Sequence, residues 1–329
     1  MTPPLVSVIV PTHNRPQMLL EAVASALAQT VTDTEVLVAD DASDGELGQE
    51  LQRRFHDGRV RYHRHQQRVG MLANNVWALS HARGRYVATL HDDDLLGPTF
   101  LERLLPPLEA HQDVVVSFCD QWVMDATGQV NPGATDTFSR HWGRWELREG
   151  MHWPFLDLAV IRCAIPVSAG SVFRRTAVPP SALPEEVGTF YDGWLTYLLA
   201  RTGGVAWYVP SRLGSYRIHA ASETGQLSRV DPQAKLRSAR QAAFIFGRYL
   251  QDPALAPHHA AFRRKYRRAC VSLAMAETLA GEPARARAVL RAEGLGLLHP
   301  ALAVAYGATH APVPVLKAAW DGLARLRGT

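Results

Sequence analysis

Short β-branched runs alternate with helical periodicity along the first hundred residues. Val6-Ser-Val-Ile-Val10 is one such run, ending at Pro11, and it predicts a buried strand. From 17 to 29 the apolar positions Leu20, Val23, Ala24 and Leu27 fall at helical spacing. Residues 35–39 predict a second buried strand, 45–55 a helix, 60–63 a third strand, and 72–82 a helix stopped by Gly84. A fourth strand, 86–90, runs directly into His91-Asp-Asp-Asp94. Strands and helices alternating at this pitch imply a mainly parallel sheet with right-handed crossovers.

Beyond residue 111 the pattern loosens. Strands are expected at 114–118, 168–173 and 205–209, and a helix at 192–200. Residues 131–155, rich in Gly, Trp, His and Arg, read as a long loop over a site. From 233 the chain turns helical, with segments 234–250, 260–280 and 283–292 broken at Asp252-Pro253 and Gly281. Alanines at packing positions make 269–292 resemble part of a tetratricopeptide-type helical pair. One unit is not an array, so this region is expected to be a helical appendage on the main body.

Composition narrows the class. At 329 residues the chain has room for two or three domains. Hydrophobic residues at 47% against 20% charged exclude wholesale disorder. The net charge of +4 is too small to argue for nucleic acid, but it is unevenly placed. From Gln233 to Thr329 there are 15 Lys and Arg against 5 Asp and Glu, a net +10 that leaves −6 on the rest. Either this basic part contacts an anionic surface, such as membrane headgroups or a partner, or its charges are solvated helix faces. Cys119, Cys163 and Cys270 are odd in number, scattered and without a CxxC pair. They indicate neither a disulfide framework nor a zinc site, and a reducing cytoplasmic compartment is expected. Met1-Thr-Pro-Pro-Leu-Val6 lacks the basic-then-apolar pattern of a signal peptide. The best membrane-span candidate, 295–316, is broken by His299, Pro300, His310, Pro312 and Pro314.

The candidate chemistry lies at the strand ends, where parallel α/β sheets bind ligands. Those ends read Thr12-His13-Asn14, Asp40-Asp41 and Asp92-Asp93-Asp94. Three consecutive carboxylates repel one another and raise one another's pKa values. A divalent cation removes that cost, and oxygen ligands favour Mg or Mn. A carboxylate at 40–41 suits the imide N–H of uracil or thymine, or the N1/N2 donors of guanine; the alternative is a helix cap shared with Ser43 and Asp44. His13 either stacks on a base or satisfies a loop carbonyl.

Four ordered motifs resemble the family 2 glycosyltransferases. They are Val6-Ser-Val-Ile-Val-Pro-Thr-His-Asn-Arg15 with Val36-Leu-Val-Ala-Asp-Asp-Ala-Ser-Asp44; Arg68-Val-Gly-Met-Leu-Ala-Asn74; Ala82-Arg-Gly-Arg-Tyr-Val87; and His91-Asp-Asp-Asp94. The resemblance covers about residues 5–225. It implies a GT-A fold: α/β, a Rossmann-like mainly parallel sheet flanked by helices, here with a C-terminal helical extension. The implied domains are a nucleotide-sugar-binding subdomain at 1–110, an acceptor-binding and catalytic subdomain at 111–230, and a helical domain at 231–329. It further implies a nucleotide-sugar donor, a divalent metal and inversion at the anomeric carbon.

Carried over by motif, Pro11 and His13 line the base and ribose, Asp41 binds the pyrimidine imide and Asp40 supports it. Ala42 stands where the family usually has Gly. Thr12, Arg15, Arg68, Gly70 and Asn74 fall within the matching motifs on the donor side. Aligned through Pro98, His91 takes the place of the family's first Asp. Asp93 is then the metal ligand, Asp92 lies near the ribose and Asp94 supports; read literally as Asp-x-Asp, the motif gives the metal to Asp94. Phe190-Tyr-Asp-Gly-Trp194 resembles the family's Glu-Asp element, making Asp192 the general base and replacing the Glu by Tyr191. Tyr216-Arg-Ile-His-Ala-Ala-Ser222 matches a further element, placing His219 at the metal or diphosphate and Arg217 against the diphosphate. Trp153, Ser171, Tyr191 and Trp194 are assigned to the acceptor side. His141-Trp-Gly-Arg-Trp145 is similar to the Gln-x-x-Arg-Trp element of processive synthases. It has His for Gln and precedes the base, so a non-processive enzyme is expected. Trp142, Trp145 and Trp153 form either a stacking platform or ordinary packing.

The expected function is transfer of a sugar from a UDP or dTDP donor, with GDP also compatible, to an acceptor hydroxyl on a glycan, a lipid-linked molecule or a small molecule. The basic helices would serve peripheral contact at the inner membrane face or a homodimer. The competing reading is a non-catalytic nucleotide-sugar or glycan binder with a degenerate GT-A fold. A sugar nucleotidyltransferase would need a Gly-rich basic loop where Pro11-Thr-His-Asn-Arg-Pro16 stands.

Overall fold

The computed structural model describes residues 3–220, 222, 232–292 and 307–309. Four parallel strands form its first half: β1 (Val6–Thr12), β2 (Thr34–Asp40), β3 (Val60–Arg64) and β4 (Tyr86–Thr89). They lie in the order β3-β2-β1-β4. Every residue of β2 is buried, as are six of the seven in β1. Burial on both faces is why these strands read as continuous apolar runs without alternation. The crossovers are α1 (Pro16–Leu27), α2 (Leu47–Arg54) and α3 (Met71–His81). Pro16 suits the first helical position because its missing N–H would have no intrahelical partner there. The fully buried stripe of α1 is Leu19, Ala22, Val23 and Ala26, turned one position from the expected stripe. Two alanines let the helix approach closely, and Leu20 and Leu27 pack at the margin of the same core.

The sheet continues past residue 110 without a break. After β5 (Leu95–Leu96) and α4 (Phe100–Ala110) come β6 (Val114–Met124), α5 (Pro132–His141), β7 (Gly150–His152), β8 (Ser171–Arg174), α6 (Tyr191–Arg201) and β9 (Val205–Arg217). β8 runs antiparallel between β4 and β6, β9 lies parallel to β6, and β5 and β7 pair antiparallel with β9. All nine strands of the described residues thus share one sheet.

Two expectations change. The stretch 131–155 is not one loop: it holds α5 and β7. Asn131 accepts the N–H of Ala134 and Pro132 occupies the first turn, a start signal hidden in a Gly-rich, polar composition. β9 runs eight residues beyond the expected 205–209, and its extension carries the chain to the end of β4. A glycine makes that path possible, because a Cβ on Gly214 would collide with the carbonyl oxygen of Ala169.

Contact density divides the chain into compact units Met1–Ala220 and Ala221–Thr329. In the second, α7 (Pro232–Gln251) packs along α8 (His259–Leu279), and α8 along α9 (Pro283–Ala292). Ala274, Ala286 and Leu290 form one buried cluster, and Leu236, Ala239 and Leu273 another. The alanines therefore stand at helix contacts, as their spacing implied. Among the described residues no helix is long and apolar enough to cross a membrane.

At the N-terminal edge of the sheet, Glu35 joins three strands. It accepts Ser7 Oγ at 2.5 Å, the Arg83 N–H at 2.7 Å and Arg61 Nη1 at 2.6 Å. Burial alone would raise its pKa, but the bonds from Ser7, Arg83 and Arg61 outweigh burial and hold it below the ordinary value. A depressed carboxylate pKa stabilises the fold above the unfolded-state value, about 4.3. Glu35→Gln is expected to cost roughly 1.5–3 kcal/mol at neutral pH. In urea melts the gap from the parent protein should shrink as pH falls from 5 to 3.

Candidate active site

The end of β1 addresses two neighbouring strands. Thr12 Oγ1 donates to Asp92 Oδ2 at 2.7 Å beyond β4. The next residue, His13, donates from Nδ1 to the carbonyl oxygen of Asp41 at 2.8 Å beyond β2. The two acidic tips are therefore stitched to one strand end, and of the two readings of His13 the loop carbonyl is the contact observed.

At the β2 tip, Asp41 accepts the N–H of Val69 at 2.6 Å and the N–H of Gly70 at 3.0 Å, with Arg68 Nε 3.8 Å away. His13, Asp41, Arg68 and Gly70 come together in this way. Asp40 and Asn74 face inward. The Asp40 carboxylate is fully buried and accepts from Ser43 and from the Tyr62 hydroxyl. Asn74 donates to the Ala39 carbonyl and accepts from His65. Both are buried and hold the β2 tip in shape. Ala42 adopts φ +55, a left-handed conformation costing an L-residue about 1–2 kcal/mol; glycine at this position would avoid the cost.

The β4 tip gathers more charge. Arg15 Nη1 bridges Asp92 Oδ1 at 3.0 Å and Asp93 Oδ2 at 2.9 Å. His219 Nε2 donates to the same Asp93 oxygen at 3.0 Å. Asp94 accepts the Arg217 N–H at 3.0 Å and the Ser168 hydroxyl at 2.7 Å, and the Ser168 oxygen in turn accepts the His91 N–H at 2.8 Å. Burial, and after it the charge of Asp93, pushes the Asp94 carboxyl up to about 7, against the opposing pull of His91, Arg217 and Ser168. Burial also raises Asp92, with Arg15 opposing. For His91, burial lowers the pKa but the charges of Asp192, Asp94, Asp93 and Asp92 outweigh it, so the net direction is up. Ligand atoms of His91, Asp93 and Asp94 all lie within 4.8 Å of one another. Two crowded carboxylates and an imidazole, with Asp94 pushed up to about 7 by burial, form a donor set that a divalent cation would relieve. The set fits a metal.

Arg217 does not face outward. It is 2% exposed and gives its guanidinium to Asp93 O, Ala126 O and Glu21. The cation at the tip is instead Arg15.

Helix α6 brings the last acid. Tyr191 Oη lies 2.6 Å from His91 Nε2 and hydrogen-bonds Asp192. Asp192 Oδ1 is buried without a hydrogen-bond partner among the described residues. Burial raises the Asp192 pKa, and His91 and Tyr191 draw it back in part. Of the other acceptor-side candidates, Ser171 is buried in β8 with its hydroxyl on the Val167 carbonyl, Trp194 packs with Nε1 on the Ala182 carbonyl, and Trp153 is 69% exposed. These bonds of Ser171 and Trp194 go to backbone carbonyls outside the acidic tip. Pro11 is half-buried in β1. In the tryptophan-rich stretch Arg144 is buried and paired with Asp120 at 2.7 Å. A cavity of about 470 Å³ lined by Trp122, Trp145, Tyr208 and Arg212 shares no residue with the tips.

Residues the sequence left without a role at the β4 tip are His91, Ser168 and Glu21. His91 lay inside a quoted motif and Ser168 opened an expected strand; Glu21 carried no signal, since its partner is 196 positions away.

Three comparisons agree with this architecture. The model of Glycosyl transferase family 2 matches residues 7–162. An uncharacterized glycosyltransferase of Methanocaldococcus jannaschii is 29% identical over 133 residues, 40% of this chain and 46% of that protein. The structure of S. aureus TarS 1-349 in complex with UDP-GlcNAc superimposes with a TM-score of 0.55 at 15% identity, covering 98% of this chain and 92% of that one. The mannosyltransferase PcManGT from Pyrobaculum calidifontis, in complex with GDP-Man and Mn2+, does so with a TM-score of 0.54 at 18% identity, covering 94% and 85%. The fold is the GT-A fold, and residues 7–162 are similar to glycosyltransferase family 2. The chain spans less than half the length of the curated relatives it matches.

Arg15 acts at the tip as a built-in counterion. Arg15→Gln is expected to lower the stability of the metal-free protein by roughly 1–3 kcal/mol, since the pair is only partly desolvated. The same change should enlarge the rise in melting temperature produced by Mn, because Asp92 and Asp93 then lack their internal cation. Scanning fluorimetry with and without Mn checks both signs.

Proposed function

We propose that the chain is an inverting, non-processive glycosyltransferase that moves a sugar from a nucleotide-diphosphate donor to an acceptor hydroxyl. The observation that carries this reading is the meeting of Asp192 with the β4 tip, joined by the 2.6 Å contact of Tyr191 and His91. A base with an open oxygen beside a cation-binding acidic cluster is what such a transfer requires.

Asp41 is assigned to the donor base. A carboxylate has about four acceptor positions; the backbone N–H groups of Val69 and Gly70 fix its orientation and leave capacity for an imide N–H. This favours UDP or dTDP, and guanine also offers suitable donors. The neighbours TarS and PcManGT, held with UDP-GlcNAc and GDP-Man, support a sugar nucleotide of either kind. Asp93 and Asp94, with a histidine nitrogen, would hold a divalent cation, Mn or Mg, which supplies neutralisation of charge on the leaving diphosphate. Arg15 adds positive charge at the same place, and His219 adds a hydrogen bond to Asp93. Asp192 Oδ1 accepts the proton of the acceptor hydroxyl, and burial raises its pKa, which strengthens it as a base. The acceptor is a hydroxyl on a glycan, a lipid-linked molecule or a small molecule. Arg263, Arg264, Lys265 and Arg268 are exposed on α8 and are proposed to meet anionic headgroups at the inner membrane face or a second copy. A cytoplasmic setting is proposed from the scattered cysteines.

Two measurements test this. With Mn present, UDP or dTDP at a hundred times its Kd is expected to add about 2.7 kcal/mol of stability, roughly 5–10 °C in Tm, with GDP weaker; no shift with any nucleotide and either metal would sink the reading. Asp192→Asn should keep that shift and lose about 10²–10⁴-fold in transfer. A pure binder would show the nucleotide shift in the parent protein with neither transfer nor slow metal-dependent donor hydrolysis.

A further inference from the structure

We infer that His91 and Tyr191 are a matched pair: His91 is the nitrogen ligand of the cation site, and Tyr191 is a positioning residue that fixes which ring nitrogen is offered and links it to Asp192. The inference deepens the proposed function and rests on its placement of a cation at the β4 tip. Both residues stand where the family resemblance implies acids. Their joint replacement swaps two negative charges for a neutral hydrogen-bonded contact beside Asp92, Asp93, Asp94 and Asp192.

Geometry gives the direction of the link. His91 Nε2 lies 2.6 Å from the Tyr191 oxygen, so Nδ1 is the ring nitrogen facing the cluster, 4.0 Å from Asp94 Oδ2. A cation placed between Nδ1 and the carboxylates would be held by both. The second ring nitrogen of a metal-bound histidine is commonly held in this way by an outer partner that selects the tautomer. Tyr191 is itself 2% exposed, so water cannot easily replace it. An imidazole with two carboxylates favours Mn or Co over Mg, which prefers all-oxygen surroundings.

The test uses the full chain and the metal alone. Calorimetric titration with Co, Mn and Mg, without nucleotide, should show Tyr191→Phe binding Co 10–100-fold more weakly than the parent, the usual effect of losing an outer-shell partner. His91→Asp should shift the Co-to-Mg affinity ratio at least tenfold toward Mg and displace the visible absorption bands of bound Co. Unchanged Co affinity in Tyr191→Phe overturns the positioning role. An unchanged Co spectrum in His91→Asp overturns the ligand assignment, and this readout holds even if Tyr191→Phe folds poorly. Cobalt bound through His91 in a protein that binds no nucleotide and transfers no sugar supports the ligand assignment and removes the proposed function. Transfer activity with neither variant altering metal binding does the reverse.

Discussion

Mutual repulsion among buried carboxylates is the constraint on which the rest of the site depends. Asp92, Asp93 and Asp94 leave the end of β4 together, and Asp192 approaches from α6. In a low-dielectric surrounding such a group stays assembled only if each charge is met by a donor, a cation or a proton. Thr12, Arg15, Ser168, His219 and the Arg217 N–H meet them from β1, the turn after it, the segment before β8, and the end of β9. The sheet topology brings those segments to one place. β9 must outrun the expected strand to deliver Arg217, and it can do so only because Gly214 lets the backbone pass against Ala169.

Much of the parallel half was legible because its strands are buried on both faces and announce themselves as unbroken apolar runs. Both acidic tips were legible for the same reason, since carboxylates directly after such a run stand where the sheet opens to ligands. The region 131–155 was not. Its helix begins with a cap and a proline but lacks a strong apolar stripe, so composition suggested a loop. The length of β9 was hidden by Pro210 and Gly214, which read as interruptions in a one-dimensional pattern while the three-dimensional sheet accommodates both.

Site residues divide along another line. The sequence placed Asn74 and Arg217 on the donor side and Asp40 in support of Asp41, and each of the three is buried and hydrogen-bonded within the protein. They shape the tips without reaching outward. Motif positions report that a residue type is required, and this requirement is met equally by touching a ligand and by holding the loop that does. Burial and hydrogen-bond accounting separate the two roles. By the same accounting His91 and Ser168 move toward the reacting centre.

Thr12 and His13 are consecutive at the end of β1, which lies between β2 and β4 in the sheet. One reaches the β4 tip and the other the β2 tip, so the spacing between the two halves of the pocket is set by a single peptide unit. Inserting or deleting one residue there would shift both contacts out of register and disconnect both tips at once. This strand end is therefore a gauge of fixed length, tolerant of changes in side-chain chemistry but closed to any change in register.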